Sequence, residues 1–266
     1  MRKIANMLML LIIVAINFTS CKKDDEIPAI PVLPPESSFS MDFSAYDGSE
    51  KSANMIVKNW LYSKVNVVFF STISASTMVV PAAAFNASLA LTPTYIGDQT
   101  WQWTYDVPVI GSTYSVKLNG ITEKKGNVKW EMYVSKAGLN PFSDFLWVEG
   151  TVKDSTSASW TVNEDPYDPN PSIQTEWKSS KDHQTFSLKY TIINPASDSY
   201  NSYIVSKKDP AKDLDRSYEI YRSNEKEDIL IEWSSTYLRG RVKSPTYFGD
   251  TEYHCWNEYT LDAWCE

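Results

Sequence analysis

Histidine, glycine and cysteine are all scarce in this sequence. Its 266 residues include 2 His, 9 Gly and 3 Cys. So few histidines disfavour a His-rich metal site, and so few glycines disfavour a Gly-rich phosphate cradle. The sequence also lacks a nucleophile elbow and a His-Glu metal motif. We therefore expect no catalytic residues, no cofactor and no metal, and we predict that the protein is not an enzyme.

Positive charge is also in short supply. The chain has 25 Lys and Arg against 33 Asp and Glu, a formal net charge of −8, and its charges are scattered. This balance argues against nucleic acid as a partner. Glutamates within strand-like segments are the remaining acid–base candidates. Alternation predicts that Glu131, Glu176 and Glu232 face water. It places Glu149 on an apolar face, where burial can raise the pKa of a carboxyl group, and the alternative is a position at the strand end in solvent.

Charge is missing altogether from residues 65–97. Apolar residues recur in and before this stretch at intervals of three and four, which predicts a hydrophobic N-terminal helix beginning near Ser49. A helix without charge on any face is enclosed by protein or by a membrane. Several Ser and Thr residues and Pro81 interrupt the run, which favours packing in or against a sheet over spanning a membrane. A strand over residues 65–70 is the alternative, because β-branched and aromatic residues dominate there.

From Thr100 onward the apolar residues alternate with polar ones, a pattern typical of strands with one buried face. About ten or eleven segments show it, with turn residues between them: 101–106, 114–118, 128–135, 145–152, 160–162, 173–177, 186–192, 200–205, 218–221, 229–233 and 238–243. Their short links predict antiparallel neighbours. One open sheet of this size would expose its edges. We therefore predict a mainly β fold, an antiparallel meander forming a barrel or half-barrel with the helix packed in or against it.

Aromatic residues are abundant, at 14% of the chain. Alternation places most Trp residues on the buried face, so each one by itself is best explained as core. If the barrel keeps an interior cavity, its candidate ligand-facing residues are Phe69, Trp101, Trp103, Trp130 and Trp147. Such a cavity would suit an apolar ligand such as a lipid. Aromatic residues on the other face or in loops would instead suit stacking on sugar rings, and these candidates are Tyr133, Tyr167, Tyr247 and Phe248.

Residues 1–20 have the parts of a secretory signal. Basic residues 2–3 precede an apolar run over residues 7–18, which is too short to span a bilayer comfortably. The sequence Phe18-Thr19-Ser20-Cys21 resembles the lipobox of bacterial lipoproteins, although Phe stands where Leu is usual. The resemblance implies that Cys21 is lipidated and becomes the new N-terminus. An ordinary cleaved signal followed by a coincidental cysteine is the alternative.

The residues after Cys21 refine the expected location. Lys22-Lys23-Asp24-Asp25-Glu26 resembles the surface-export tag of lipoproteins from Bacteroidota-type Gram-negative bacteria. An Asp directly after the cysteine, which marks inner-membrane retention, is missing. The resemblance implies a protein anchored by lipid to the outer membrane and exposed on the cell surface, with the periplasmic face as the alternative. Prolines are frequent up to residue 35, so residues 21–45 are predicted to be a semi-rigid tether.

The C-terminal region contains Cys255 and Cys265, the two cysteines left after lipidation of Cys21. Export across the inner membrane would bring these cysteines into an oxidising compartment. There they are predicted to form a disulfide that closes the C-terminal tail. Two unpaired thiols are the alternative. His254 beside Cys255 lacks the further ligands of a zinc site, so no metal is expected there.

Further segments support the resemblance. Pro34-Pro35-Glu36-Ser37 and Met41-Asp42-Phe43 are similar to Bacteroidota outer-membrane lipoproteins of an uncharacterised family, as are the C-terminal segments Gly240-Arg241-Val242-Lys243, Phe248-Gly249-Asp250 and His254-Cys255-Trp256, together with Cys265. The similarity extends over most of the mature chain and implies no active-site residues.

The sequence therefore predicts three parts: a signal peptide at 1–20, a lipidated tether at 21–45 and a single domain at 46–266. Its expected partners are the membrane, through the anchor, and a lipid or glycan, with no nucleic acid. We predict a non-catalytic binding or interaction module, with an apolar ligand as one candidate. The alternatives are a surface glycan-binding accessory lipoprotein and a purely structural envelope protein.

Overall fold

The computed structural model describes four segments of the chain, residues 27–44, 57–123, 126–154 and 156–265. The predicted signal peptide, the lipidation site Cys21 and the helix start near Ser49 lie outside these described residues. Those three stay predictions.

Fourteen strands form one antiparallel sheet, in which each strand pairs with the next strand in the chain. The strands are β1 (Thr94–Gly97), β2 (Thr100–Val109), β3 (Ser112–Thr122), β4 (Val128–Lys136), β5 (Phe142–Lys153), β6 (Ser157–Asp165), β7 (Asp168–Ser179), β8 (Phe186–Ile192), β9 (Tyr203–Lys208), β10 (Arg216–Arg222), β11 (Glu227–Trp233), β12 (Gly240–Lys243), β13 (His254–Trp256) and β14 (Asp262–Ala263). Each predicted segment overlaps one strand from β2 to β12, which confirms the mainly β meander. The strands β1, β13 and β14 are too short to show a period in the sequence.

The sheet is open, which excludes the closed form of the predicted barrel or half-barrel. Among the described strands, β1 pairs only with β2, and β14 pairs only with β13. Closure is not needed to remove long edges, because β1 has 4 residues and β14 has 2. One long helix contacts β2 near one edge and β12, β13 and β14 at the other, so the sheet curves around it. We call the side facing this helix the concave face and the opposite side the convex face.

The long helix, α1, covers Lys58–Ser88. This excludes the alternative strand over residues 65–70. The helix follows an earlier packed segment, so it is internal rather than N-terminal as predicted. It is long and apolar enough to cross a membrane, and in the structure one of its sides packs on the concave face through buried residues that include Trp60, Phe70 and Phe85. A second, short helix, α2 (Pro245–Phe248), lies between β12 and β13.

A buried polar cluster fixes the N-terminal half of α1 to the sheet. Glu227 at the start of β11 is 5% exposed and accepts hydrogen bonds from the hydroxyl groups of Tyr62 and Ser244, each at 2.5 Å. Arg222 donates from Nη1 to Oδ1 of Asn66 at 3.2 Å. Burial, together with the hydrogen bond to Glu227, raises the pKa of Tyr62. The hydrogen bonds from Tyr62 and Ser244 satisfy a carboxyl group that would be costly to bury without partners.

The segment before α1 crosses the concave face as a strap, residues 27–44. It contains one 3₁₀ turn, Glu36–Ser38. Tyr190 on β8 holds the strap by donating to the carbonyl of Phe39 at 2.9 Å and accepting from the amide of Met41 at 2.7 Å, and burial raises the pKa of this tyrosine. Phe39 is fully buried. The predicted tether is therefore corrected within residues 27–44, because Pro31, Pro34, Phe39 and Met41 of this segment are buried against the domain.

Tryptophan and glycine alternate across five strands beneath the strap. Cross-strand pairing joins Trp101, Gly120, Trp130, Gly150 and Trp160 in one row from β2 to β6. A Cβ added at the second glycine, Gly150, would lie 2.4 Å from a ring carbon of Trp160. Each glycine thus leaves room for an indole ring lying across the neighbouring strand. The row fills this part of the concave face.

A register shift corrects the predicted position of Glu149. The pairing of β4 with β5 shifts between Met132 and Tyr133, which leaves Trp147 as an additional residue in β5. Glu149 consequently pairs with Glu131 on the convex face rather than sharing the apolar face. Sequence alternation assumes a regular strand, so it cannot detect a bulge of this kind.

Candidate functional site

The five predicted ligand-facing residues all contribute to packing. Trp103, Trp130 and Trp147 are buried, while Phe69 and Trp101 are partly buried. The rings of Trp103 and Trp130 lie 5.5 Å apart. Phe69 is separate from this group and lies under the guanidinium group of Arg222 at 5.2 Å. The structure therefore brings two of the five into direct ring contact and surrounds the set with strap, helix and neighbouring rings.

A pocket of about 300 Å³ lies on the concave face between the strap and strands β8–β11. Its lining includes Met41, Leu188, Arg216, Tyr218 and Trp233. This volume is at the lower limit of pockets that hold small molecules. The pocket also borders Ser44, the last described residue before a gap in the description.

Two larger grooves lie towards the C-terminal half of the sheet. The first, which we call the tail groove, has a volume of about 480 Å³ and is bounded by Asp213, Glu232, Arg239, Arg241, Asn257 and Trp264. Strand β11 supplies Glu232 and β12 supplies Arg241, while the other four residues lie in the links and ends next to the strands from β9 to β14. The tail groove combines charged, amide and aromatic groups in one place.

A disulfide and a glycine build the tail groove. Cys255 and Cys265 form the predicted disulfide, with their Cα atoms 5.3 Å apart, which confirms that prediction and closes the turn that contains Trp264. A Cβ added at Gly240 would lie 2.4 Å from a ring carbon of Trp256 and 2.5 Å from the carbonyl oxygen of Glu232. Only glycine therefore permits β12 to approach both neighbouring strands so closely.

Paired charges line the tail groove. Arg241 donates from Nε to the Oε2 carboxylate oxygen of Glu232 at 2.8 Å. Nη2 of Arg239 contacts both carboxylate oxygens of Asp213, at 2.7 and 2.9 Å. Arg241 also lies 4.0 Å from the ring centroid of Tyr253, and burial, followed by the charge of Glu232, raises the pKa of that tyrosine. The pairs hold planar hydrogen-bonding groups in fixed orientations.

Trp264 is the most exposed large side chain of the tail groove. Its exposed fraction is 96%. Sequence reasoning did not include this residue among the exposed aromatic candidates, although its position beside Cys265 was a usable signal that packing against the sheet would be limited. Of the candidates that were named, Tyr167 and Tyr247 are exposed. The other two make local contacts: Tyr133 donates to Glu131, and Phe248 stacks on His254.

The second groove, which we call the basic groove, has a volume of about 470 Å³ and is lined by Lys178, Lys207, Lys208, Lys212, Asp215 and Arg216, among others. Strands β7 to β10 and the link between β9 and β10 provide them. That link is fixed to the sheet at Asp215, which accepts hydrogen bonds at 2.7 Å from both the amide and the hydroxyl group of Ser235. Burial by itself would raise the pKa of Asp215, but these hydrogen bonds outweigh it and lower the pKa.

Within the described parts of the chain, no group of three or more His, Cys, Asp or Glu side chains is arranged to hold a metal ion. The tail groove offers charged side chains and the amide of Asn257, and the basic groove adds Ser and Thr hydroxyl groups to its charged side chains. Comparison of the chain with protein-family models, with curated proteins and with solved structures finds no match.

Proposed function

We propose that this protein is a non-catalytic carbohydrate-binding module of the cell envelope and that the tail groove is its binding site. The observation that carries the proposal is the 96% exposure of Trp264 beside two arginine–carboxylate pairs. A sugar ring has an apolar C–H face that covers an indole, and hydroxyl groups at its edge that bond to carboxylate, guanidinium and amide groups. The tail groove offers both kinds of contact.

The exposure of Trp264 supports a binding role on energetic grounds. A tryptophan side chain can bury 150–250 Å² of surface, which corresponds to about 4 kcal/mol of stabilisation when the ring is fully covered. Trp264 gains almost none of this within its own chain. A ligand that covers one face of the ring would gain part of this burial free energy. The nearby disulfide limits the conformational entropy lost on binding.

Binding without catalysis fits the carboxylates of the tail groove. Asp213 and Glu232 are each held by an arginine, at 2.7 Å. Carboxylates in such pairs accept hydrogen bonds from hydroxyl groups and are held in place for recognition. We therefore keep the proposal that the protein is not an enzyme.

The proposed location is the outer membrane, with the domain on the cell surface and the periplasmic face as the alternative. Nine residues separate Cys21 from Pro31, a buried residue of the strap, so the packed domain would lie within about 35 Å of the anchor along the chain. Replacing Cys21 by Ala should release the protein from membranes. Protease treatment of intact cells should degrade the domain if it is displayed on the surface, and full protection would favour the periplasmic face.

The binding proposal is tested by titrating the full mature chain in detergent micelles with a panel of soluble oligosaccharides, using calorimetry. Trp264→Ala should weaken the best ligand by roughly tenfold or more and leave the melting temperature unchanged. Tyr167→Ala is the matched control, since this tyrosine is also exposed but lies in the turn between β6 and β7. Equal affinity of the Trp264 and Tyr167 variants, or no binding to any oligosaccharide, would contradict the proposal.

A carrier of an apolar ligand is the second candidate, supported by the pocket of about 300 Å³ that Met41, Leu188 and Trp233 help to line. Native mass spectrometry of the purified protein tests it directly. A co-purifying lipid that is lost in a Leu188→Arg variant would favour the carrier. Protein free of lipid would count against it, and failure of both ligand tests would leave the structural envelope role.

A further inference from the structure

We infer that the tail groove and the basic groove form one continuous site whose ligand is an acidic polysaccharide, with carboxylate or sulfate groups on its sugars. This inference rests on the proposed carbohydrate binding and adds the chemical class of the ligand. It depends on how the two grooves meet and on which of their charges lack partners.

The two grooves share three residues, Lys212, Leu214 and Glu232. Two of these belong to the link between β9 and β10, and the third lies on β11. The combined site reaches from β7 to β14, which corresponds to roughly 30 Å at the usual spacing of neighbouring strands. A site of this length is suited to a chain of several sugars rather than to a single one.

Positive charge is concentrated at one end of this site. Five cationic side chains line the basic groove, against three acidic ones: Lys178, Lys207, Lys208, Lys212 and Arg216, against Asp209, Asp215 and Glu232. The whole chain has the opposite balance, with a net charge of −8. A local excess of cations within an acidic protein favours an anionic ligand at this end.

Two of the cations have no acidic partner. Lys207 pairs with Glu219, and Arg216 lies 3.4 Å from Asp215. In contrast, Lys178 and Lys208 form no ion pair with any described residue. These two ammonium groups are therefore available for anionic groups of a bound ligand.

The two ends of the site offer different contacts to a ligand, stacking at one end and positive charge at the other. Trp264 provides a ring for stacking at one end, and Lys178 and Lys208 provide charge at the other. A polysaccharide with acidic sugars satisfies both ends at once. A single-stranded nucleic acid is also an anionic polymer with flat rings, so competition by single-stranded DNA is one outcome of the test.

The test compares two polymers with the same backbone and different charge, polygalacturonate and its methyl ester. Each is titrated into the full mature chain in detergent micelles. We expect polygalacturonate to bind roughly tenfold more tightly at low salt, and a double variant, Lys178→Gln with Lys208→Gln, to lose this preference. The control is Lys153→Gln with Lys226→Gln, which removes the same charge from exposed residues outside both grooves.

The outcomes separate this inference from the proposed function. Equal binding of the two polymers, both lost in Trp264→Ala, would overturn the inference and leave carbohydrate binding intact. No binding of either polymer or of any neutral oligosaccharide would overturn both. Dextran sulfate and dextran form a second pair of polymers, which tests recognition of sulfate rather than carboxylate groups. Binding of the sulfated polymer alone would support the inference. Equal competition by single-stranded DNA would indicate unspecific attraction of polyanions and would contradict the inference.

Discussion

Tryptophan lies both on the concave face of the sheet and in the tail groove, but its surroundings differ between the two. On the concave face, Trp130 and Trp160 are almost fully buried, between glycine-containing strands and the strap. In the tail groove, Trp264 is almost fully exposed. The same residue type thus stabilises the fold in one region and is left uncovered in the other. The difference directs the search for a binding site away from the interior, where the aromatic residues are most numerous.

The two regions also differ in how their polar groups are arranged. On the concave face, polar contacts join parts of the chain, as Tyr190 does with the strap at Phe39 and Met41. In the tail groove, the charged groups pair with each other and border open space, as Arg241 does with Glu232. The polar groups on the concave face are occupied by contacts within the folded chain. The charged groups of the tail groove border open space and can also form hydrogen bonds with a ligand.

The largest effect is expected from breaking the concave face. Gly150→Val should destabilise the protein by about 3 kcal/mol, because its side chain would overlap the ring of Trp160. Thermal unfolding followed by circular dichroism should show a melting temperature lower by roughly 6–12 °C. Thr151→Val is the control, since the neighbouring side chain lies on the convex face, and it should change little. A Gly150→Val protein as stable as the control would show that the tryptophan–glycine row does not determine packing there.

An intermediate effect is expected from breaking the tail groove. Replacing Cys255 and Cys265 by Ser removes a cross-link worth about 2–3 kcal/mol. Because the disulfide ties β13 to the tail at the edge of the sheet, we expect oligosaccharide affinity to fall by roughly tenfold while the concave core keeps its near-UV circular dichroism. Unchanged affinity in this double variant would mean that the position of Trp264 does not depend on the disulfide.

The smallest effect concerns the link that stands between the two grooves. The pKa of Asp215 is lowered in the folded protein, so its ionised form contributes stability above the unfolded pKa of about 4 and loses it as the pH falls below that value. We expect Asp215→Asn to destabilise the protein by about 0.5–1 kcal/mol at neutral pH, a modest value because the group is partly exposed. Urea unfolding across the acid range should show the wild type and the variant converging below about pH 4. A constant difference at all pH values would contradict this role of Asp215.

Patterns among neighbouring residues of the sequence were sufficient to predict much of the fold. Alternation in stretches such as 186–192 marked strands correctly because one face of the sheet is buried along its whole length. The spacing of Cys255 and Cys265 indicated their disulfide. In each case the information lies in residues that are near one another in the sequence.

The features that sequence reasoning missed depend on distant contacts. Prolines made residues 21–45 resemble a free tether, whereas the ring of Phe39 is buried against Phe85 and Trp160. Its carbonyl oxygen accepts a hydrogen bond from Tyr190, which lies 151 positions away. The bulge at Trp147 reversed the face of Glu149. Trp264 was missed as an exposed candidate despite the local signal of its position beside Cys265, and its full exposure also depends on β14 ending two residues before the disulfide.

The most direct test of carbohydrate binding in the tail groove is an NMR titration that observes indole N–H groups. The chain has 10 Trp residues, and a Trp264→Phe variant assigns the resonance of Trp264. On adding the best oligosaccharide to the mature chain, we predict that the Trp264 resonance shifts and that the resonances of Trp130 and Trp160 stay in place. A shift at Trp233, which lines the concave pocket, with Trp264 unmoved, would contradict the proposal and place the ligand on the concave face.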